Sequence, residues 1–242
     1  MSSSVDSKKR DIGALFDRIA GRYDLLNHLL SLNIDKRWRR RAIRCLATTE
    51  NAASPVRILD VAIGTGDLAI EIIRQHKADE VTGIDVSEQM MRIGQEKTTK
   101  IGLVDRIRFQ KASAMKMPFE ADCFDAVTCA YGVRNFADLD AGLNEMYRVL
   151  RPGGQLMILE FTQPSNRLFA AVYDLYFTHI LPTVGRLISG DKTAYSYLNR
   201  SVKAFVDAPQ MHAHLAKVGF QDIQSIPLTH GITTIYTARK LV

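Results

Sequence analysis

Apolar side chains at positions 12, 15, 16, 19, 23, 26 and 30 recur at the spacing of one helical face. A second, strongly basic helix follows through Trp38-Arg39-Arg40-Arg41, and Pro55 closes this N-terminal stretch. Residues 1–10, Ser-rich and then Lys8-Lys9-Arg10, predict a disordered tail. From Val56 the pattern changes. Ile58–Ala62 reads as a short buried strand, a glycine turn follows, and Asp67 opens a helix through Ile70, Ile72 and Ile73. Next come a strand at Glu80–Asp85, a helix capped by Ser87 that ends near Gly102, and a strand at Ile107–Gln110. A loop with Met117-Pro118-Phe119 leads to a strand at Phe124–Ala130. The helix started by Asp138 or Asp140 runs to Leu150, and Arg151-Pro152-Gly153-Gly154 turns the chain into a strand at Gln155–Phe161.

This alternation predicts an α/β fold with a doubly wound, mostly parallel sheet that takes its ligands at the carboxyl ends of the strands. Residues 163–205 depart from it. They hold seven of the nineteen aromatics, and Leu168–Leu181 reads as an apolar helix interrupted by Asp174 and His179. We expect an insertion that covers the site; aromatics that merely pack the sheet are the plainer alternative. A helix at Ala208–Val218 and an antiparallel pair at Phe220–Pro227 and Gly231–Arg239 bring the strand count to seven. The expected organisation is a tail at 1–10, a helical cap at 11–55, a ligand-binding core at 56–162, the insertion at 163–205 and the rest of the core at 206–242.

Composition narrows the class. Hydrophobic content of 46% and a mean hydropathy of −0.07 describe an ordinary soluble protein, and no apolar run approaches the roughly 18 residues that span a bilayer. Cys45, Cys123 and Cys129 are scattered without metal spacing, and no apolar segment of a secretory signal follows the start, so a cytoplasmic setting is expected. Charge is unevenly placed: residues 8–44 carry eleven Lys/Arg against four Asp/Glu, while the whole chain sums to +6. That segment is suited to anionic lipid, nucleic acid or simply water.

The candidate chemistry centres on the turn. Gly64 and Gly66 carry no Cβ, so the backbone can bend there and a ligand can lie against it. Asp60 and Asp67 flank the turn, a distribution unfavourable to phosphate and favourable to a cation. Gly64-x-Gly66-x-x-Ala69 also fits a dinucleotide fingerprint, with Asp85 about 20 residues on. An acid there accepts from a ribose diol, which NAD and S-adenosylmethionine share. A short-chain dehydrogenase needs Tyr-x-x-x-Lys in mid-chain, and the match Tyr236 to Lys240 stands on a terminal strand. Neither the acid-Pro-Pro-aromatic loop of nucleic-acid amine methylases nor a Pro-Cys nucleophile is present, so nucleic acid is not expected as a partner. No metal site is expected either: His212 and His214 point to different helix faces, and His28, His76 and His230 stand alone.

The glycine turn, Asp85 and Arg148-Val149-Leu150-Arg151-Pro152-Gly153-Gly154 together resemble a class I S-adenosylmethionine-dependent methyltransferase. Four further segments resemble the menaquinone/ubiquinone biosynthesis C-methyltransferases: Phe16 to Asp24, Tyr131-Gly132-Val133-Arg134-Asn135, Leu159-Glu160-Phe161 and His179-Ile180-Leu181-Pro182. The similarity spans roughly residues 12 to 236. It implies S-adenosyl-L-methionine as cofactor, held by Gly64, Thr65, Gly66, Asp85, Ser113 and Ala114, and a demethylated prenylquinol as acceptor. The family usually has Asn or Asp where Ser113 stands, a small or polar residue at Ile63, in some members Ser at Ala130, and often Gly at Asn33.

By this resemblance Arg134 would steady a quinol phenolate and Asn135 would orient a water or a quinol oxygen. Arg134 tying a loop to a carboxylate is the structural alternative. His179 and Tyr195 are reserve bases, and Tyr23 and Tyr131 would face the sulfonium. The basic N-terminal stretch and the apolar insertion would dock reversibly on the anionic inner face of a membrane. A homodimer is compatible with this reading. Alternatives are the ubiquinone benzoquinol precursor or another hydrophobic phenol as acceptor and, in another class, a non-catalytic membrane-associated component that binds the cofactor.

Overall fold

The computed structural model describes residues 13–21, 24, 28, 31, 33–46, 56–164 and 192–241, with only the backbone described for 192–196 and 198. The expected tail at 1–10, the apolar helix at 168–181, Tyr23 and His179 lie outside the described residues, as does the side chain of Tyr195.

Seven strands form one sheet: β1 (Arg57–Val61), β2 (Glu80–Asp85), β3 (Ile107–Lys111), β4 (Phe124–Ala130), β5 (Leu150–Phe161), β6 (Gln221–Leu228) and β7 (Thr233–Arg239). Their order is β3-β2-β1-β4-β5-β7-β6. The first five pair in parallel, and β7 runs antiparallel between β5 and β6. Chain order reverses between β1 and β4, which opens a crevice at their carboxyl ends.

The helices are α1 (13–21), α2 (Ile34–Arg44), α3 (Asp67–Arg74), α4 (Glu88–Lys100), α5 (Leu139–Val149), α6 (Lys192–Ala204) and α7 (Ala208–Val218). Alternate strand residues feed two apolar layers. Ile58, Met157 and Leu159 meet Trp38 and Ile43 of α2 and Ile72 of α3 on one face. Leu59, Leu156 and Ile158 meet Leu143 and Met146 of α5 and Leu215 of α7 on the other. Short-range capping fixes the helix starts: Ser87 accepts from the Met90 amide, Asp138 from Ala141, and Asp207 forms a reciprocal box with Gln210.

Two sequence readings change. The expected turn at Arg151–Gly154 falls inside β5 as an irregularity: pairing passes from Phe124↔Leu150 to Ala126↔Gln155, and Gly153 takes a φ of 79°. Helix α2 also belongs to the core more than to a cap. Its Trp38 packs edge-on against Phe161 and donates to Thr229 Oγ1 at 2.8 Å.

Candidate active site

Where β1 ends, Ala62, Gly64 and Gly66 have φ values of 57°, 55° and 81°. The chain folds back so that the Gly66 amide donates to the Ile63 carbonyl at 2.9 Å, and Gly66 caps α3. The ring of Phe109 lies beneath this bend: a Cβ on Gly66 would stand 3.1 Å from it, and one on Gly94 of α4 would stand 2.6 Å away. Both glycines are needed for α4 and the turn to come this close. At the end of the neighbouring β4, Tyr131 also has a positive φ, of 58°, and a Cβ on Gly132 would meet Cys129 Sγ at 2.6 Å.

Asp85, the last residue of β2, is tied to this turn. Its carboxylate accepts from the Gly64 amide at 2.8 Å and from the Ser87 amide at 2.9 Å. Burial pushes its pKa up, against the pull of those amides. A carboxylate has about four acceptor positions, and with the Val86 amide also bonded roughly one stays available to a ligand. Asp85 opens onto a cleft of about 780 Å³ that runs from α1 past the turn to Asn135. Ser113 and Ala114, after β3, form part of its wall, with Phe16, Ile84 and Met90. Among the described residues that line it, Asp85 is the only one with a formal charge.

At the far end the chain makes one 3-10 turn, Val133–Asn135. Asn135 lines the cleft, and its side chain donates to the Tyr131 carbonyl and accepts from the Tyr197 hydroxyl at 2.9 Å. Arg134 points elsewhere. Its Nη1 donates to Glu160 Oε1 at 2.6 Å and to the Tyr131 carbonyl at 2.5 Å, and both charged side chains are buried. Burial raises the Glu160 pKa, and the Arg134 guanidinium opposes that rise. Tyr131 also lines the cleft and stacks on Phe161, with ring centroids 4.5 Å apart.

The other two turn acids border the turn together with Gly64 and Thr65. Neither Asp60 nor Asp67 lines this cleft. Asp60 is buried between strands, accepts from Thr128 Oγ1 at 2.9 Å, and borders an adjoining pocket that shares Ala62, Gly64, Ala130 and Tyr131 with the cleft. Burial lifts its pKa to about 7. Asp67 faces the N-terminal helices: Lys97 Nζ lies 2.6 Å and Arg39 Nη2 3.3 Å from its oxygens. Thr65 turns the same way, its hydroxyl donating to Asp24 at 2.6 Å. Burial would raise the Asp67 carboxyl, but Arg39 and Lys97 hold it below the usual range. His28, read as standing alone, lies 2.7 Å from Asp35 and 3.6 Å from Asp67, close enough for the three to share a metal ion, and the two carboxylates also engage Ser31, Arg39 and Lys97. This is an ion-pair network.

The sequence and the geometry meet in the comparisons. Residues 3–240 match the model of the ubiE/COQ5 methyltransferase family. The chain belongs to this family. The methyltransferase is 45% identical over 238 residues to a demethylmenaquinone methyltransferase of Bacteroides fragilis, covering 98% of this chain and 96% of that one. It is 44% identical over 237 residues to a ubiquinone/menaquinone biosynthesis C-methyltransferase of Geobacter sulfurreducens, with 98% and 91% covered. Its fold is similar to that of Haemonchus contortus phosphoethanolamine N-methyltransferase 2 in complex with S-adenosyl-L-methionine, at a TM-score of 0.60 and 17% identity over 80% of this chain and 50% of that one.

Sequence reasoning singled out no role for three residues that brace the turn and its neighbours. Asp17 accepts from Ser87 Oγ at 2.5 Å and from the Gln89 amide at 3.2 Å, which draws α1 onto the cleft. Arg39, read within a basic solvated face, is buried between Asp35 and Asp67. Lys97 carries no signal of its own in the sequence. Only contacts across 30 to 73 residues of chain distinguish it.

Proposed function

We propose that the enzyme uses S-adenosyl-L-methionine to methylate a ring carbon of a demethylated prenylquinol, with demethylmenaquinol converted to menaquinol. The observation that carries this is the cleft's single charge. A dinucleotide's phosphates would need cations or free amides where the described wall offers a carboxylate and apolar groups. A ribose diol and a sulfonium suit it. The methyltransferase family and the similarity to demethylmenaquinone methyltransferase support the same assignment.

In this reading Asp85 accepts from the ribose diol, Ser113 and Ala114 border the adenine, and Gly64, Thr65 and Gly66 shape the floor. The bound donor supplies an electrophilic methyl on a sulfonium. A ring carbon becomes a good nucleophile once a neighbouring hydroxyl is ionised, so the chain must steady a phenolate and hold the reacting atoms about 3 to 3.5 Å apart. Arg134 does not line the cleft: paired with Glu160 it ties down the Tyr131 to Asn135 loop, as in the structural alternative, so its support of a phenolate is indirect. Asn135, oriented by Tyr197, places a water or a quinol oxygen. Tyr131 and Tyr23 face the donor's sulfonium, and His179 and Tyr195 stay assigned as reserve bases on the acceptor side.

The decisive experiment follows label from methyl-labelled S-adenosyl-L-methionine into demethylmenaquinol. Transfer supports the reading; binding of NAD in place of S-adenosylhomocysteine would overturn it. A second acceptor, the ubiquinone benzoquinol precursor, is favoured by the likeness to the Geobacter sulfurreducens protein, and the same assay separates the two. We also propose docking at an anionic membrane surface. No helix among the described residues is long and apolar enough to cross a membrane, while Lys36, Arg37, Arg41 and Arg44 of α2 are exposed. Failure to bind anionic vesicles at low salt would remove that part.

A further inference from the structure

Lys97 stands at the back of the glycine turn, on the last helical turn of α4, and bonds three parts of the chain at once. Its ammonium lies 2.7 Å from Asp24 Oδ2, 2.6 Å from Asp67 Oδ1 and 3.1 Å from Thr65 Oγ1. An ammonium has three N–H groups, so its donor capacity is matched. Because Thr65 Oγ1 accepts from Lys97, its own hydrogen goes to Asp24 Oδ1, at 2.6 Å. Rotation of the Thr65 side chain is thereby fixed. One cation thus joins the N-terminal segment that carries Phe16 and Asp17, the turn, and the start of α3.

We propose that Lys97 is a positioning residue for the methyl donor, acting through Thr65 and Asp24 on the turn that floors the cleft. This rests on the reading that the cleft binds S-adenosyl-L-methionine. Partly buried ion clusters add little net stability compared with apolar packing, and their best-supported use is to select one geometry. That use is needed here: a binding constellation has to be held within about 0.5 Å. Without Lys97, the carboxylates of Asp24 and Asp67 lose the charge between them, and their repulsion pushes the N-terminal segment away from the turn. The donor cleft then loses Phe16 from its wall, and the turn that presents Gly64 to it loses the fixed setting of Thr65. No reacting atom is touched. The loss therefore belongs to donor affinity and leaves the chemical step alone.

The test compares the full-length wild type with Lys97→Met, Lys97→Arg and Asp24→Asn by calorimetric titration with S-adenosylhomocysteine, steady-state kinetics and thermal unfolding. Lys97→Met is expected to weaken binding and raise the donor KM about tenfold, with kcat changed by less than about threefold and the melting temperature nearly unchanged. Lys97→Arg recovers most of the affinity because a second cation spans the same carboxylates. Lys97→Met and Asp24→Asn combined cost no more than the worse single change, since both break one clip. Unchanged affinity in a folded Lys97→Met protein overturns the proposal, and so does a kcat that falls as far as the affinity. If Lys97→Met does not fold, Asp24→Asn and Lys97→Arg decide by the same split between KM and kcat. A wild type that binds no S-adenosylhomocysteine refutes the donor reading itself, and is told apart by that titration alone.

Discussion

The side chain of Ile63 fills the space above Gly83: a Cβ on that glycine would stand 2.0 Å from Ile63 Cδ1 and 2.8 Å from its Cβ. An isoleucine in the first bend after β1 therefore depends on a bare backbone in the middle of β2. Gly83→Ala should destabilise the fold by about 2 to 4 kcal/mol, since an overpacked core has no cheap way to relax. Ile63→Ala alone should cost a similar amount through lost burial. The double substitution should cost little more than Ile63→Ala, with a coupling above about 1 kcal/mol in urea unfolding. Simple additivity would show that the two sites are independent.

The buried pair Arg134 and Glu160 separates structural support from chemistry. Arg134→Ala leaves Glu160 without its counter-charge and should cost about 3 to 5 kcal/mol. Adding Glu160→Gln removes the uncompensated charge and should restore much of the stability. Turnover should stay lost in the double variant if Arg134 acts on the quinol. Recovery of methyl transfer together with stability would reduce the arginine to a strut.

Asp60 predicts a pH dependence of stability. Its folded pKa, about 7, lies above the unfolded value, so the folded state holds the extra proton between the two. Stability from this group is fully present below about pH 4 and is lost as pH rises toward 7. The slope is at most about 1.4 kcal/mol per pH unit. Above that window the contribution is flat. Melting curves from pH 5 to 8 should show the decline, and Asp60→Asn should flatten it. An unchanged slope in the variant would assign the effect to other groups.

Thiol labelling should sort the cysteines by depth. Cys129 is fully buried, and burial raises its thiol well above the ordinary range, whereas Cys45 and Cys123 are half-buried. In native protein, iodoacetamide should modify Cys45 and Cys123 first and Cys129 only on opening of the core, read by mass spectrometry with and without urea. Equal rates at all three would contradict the packing of β4.

Much of the fold was legible because its signals are local. Ser87 and Asp138 cap helices within three residues of their partners, and the alternation after Val56 gives a doubly wound, mostly parallel sheet. Gly64 and Asp85 were legible for the same reason: a bend and an acid at a strand end need no tertiary knowledge. Arg39 and Lys97 were not. Each has the composition of a solvated face, and its role comes from acids 4 to 73 residues away. Asp60 and Asp67 were legible as acids that flank the turn, but their partners, Thr128 for one and Arg39 and Lys97 for the other, were not.

Phe109 beneath Gly66 and Gly94 has a consequence for how a ligand arrives. With an aromatic wedge below and amide bonds across it, the bend is already shaped before any encounter, so association needs little ordering of the backbone. Its amides should exchange with deuterium slowly even in ligand-free protein. A smaller side chain at 109 would leave the bend loose, and the ordering that the ring now performs in advance would fall to the incoming molecule.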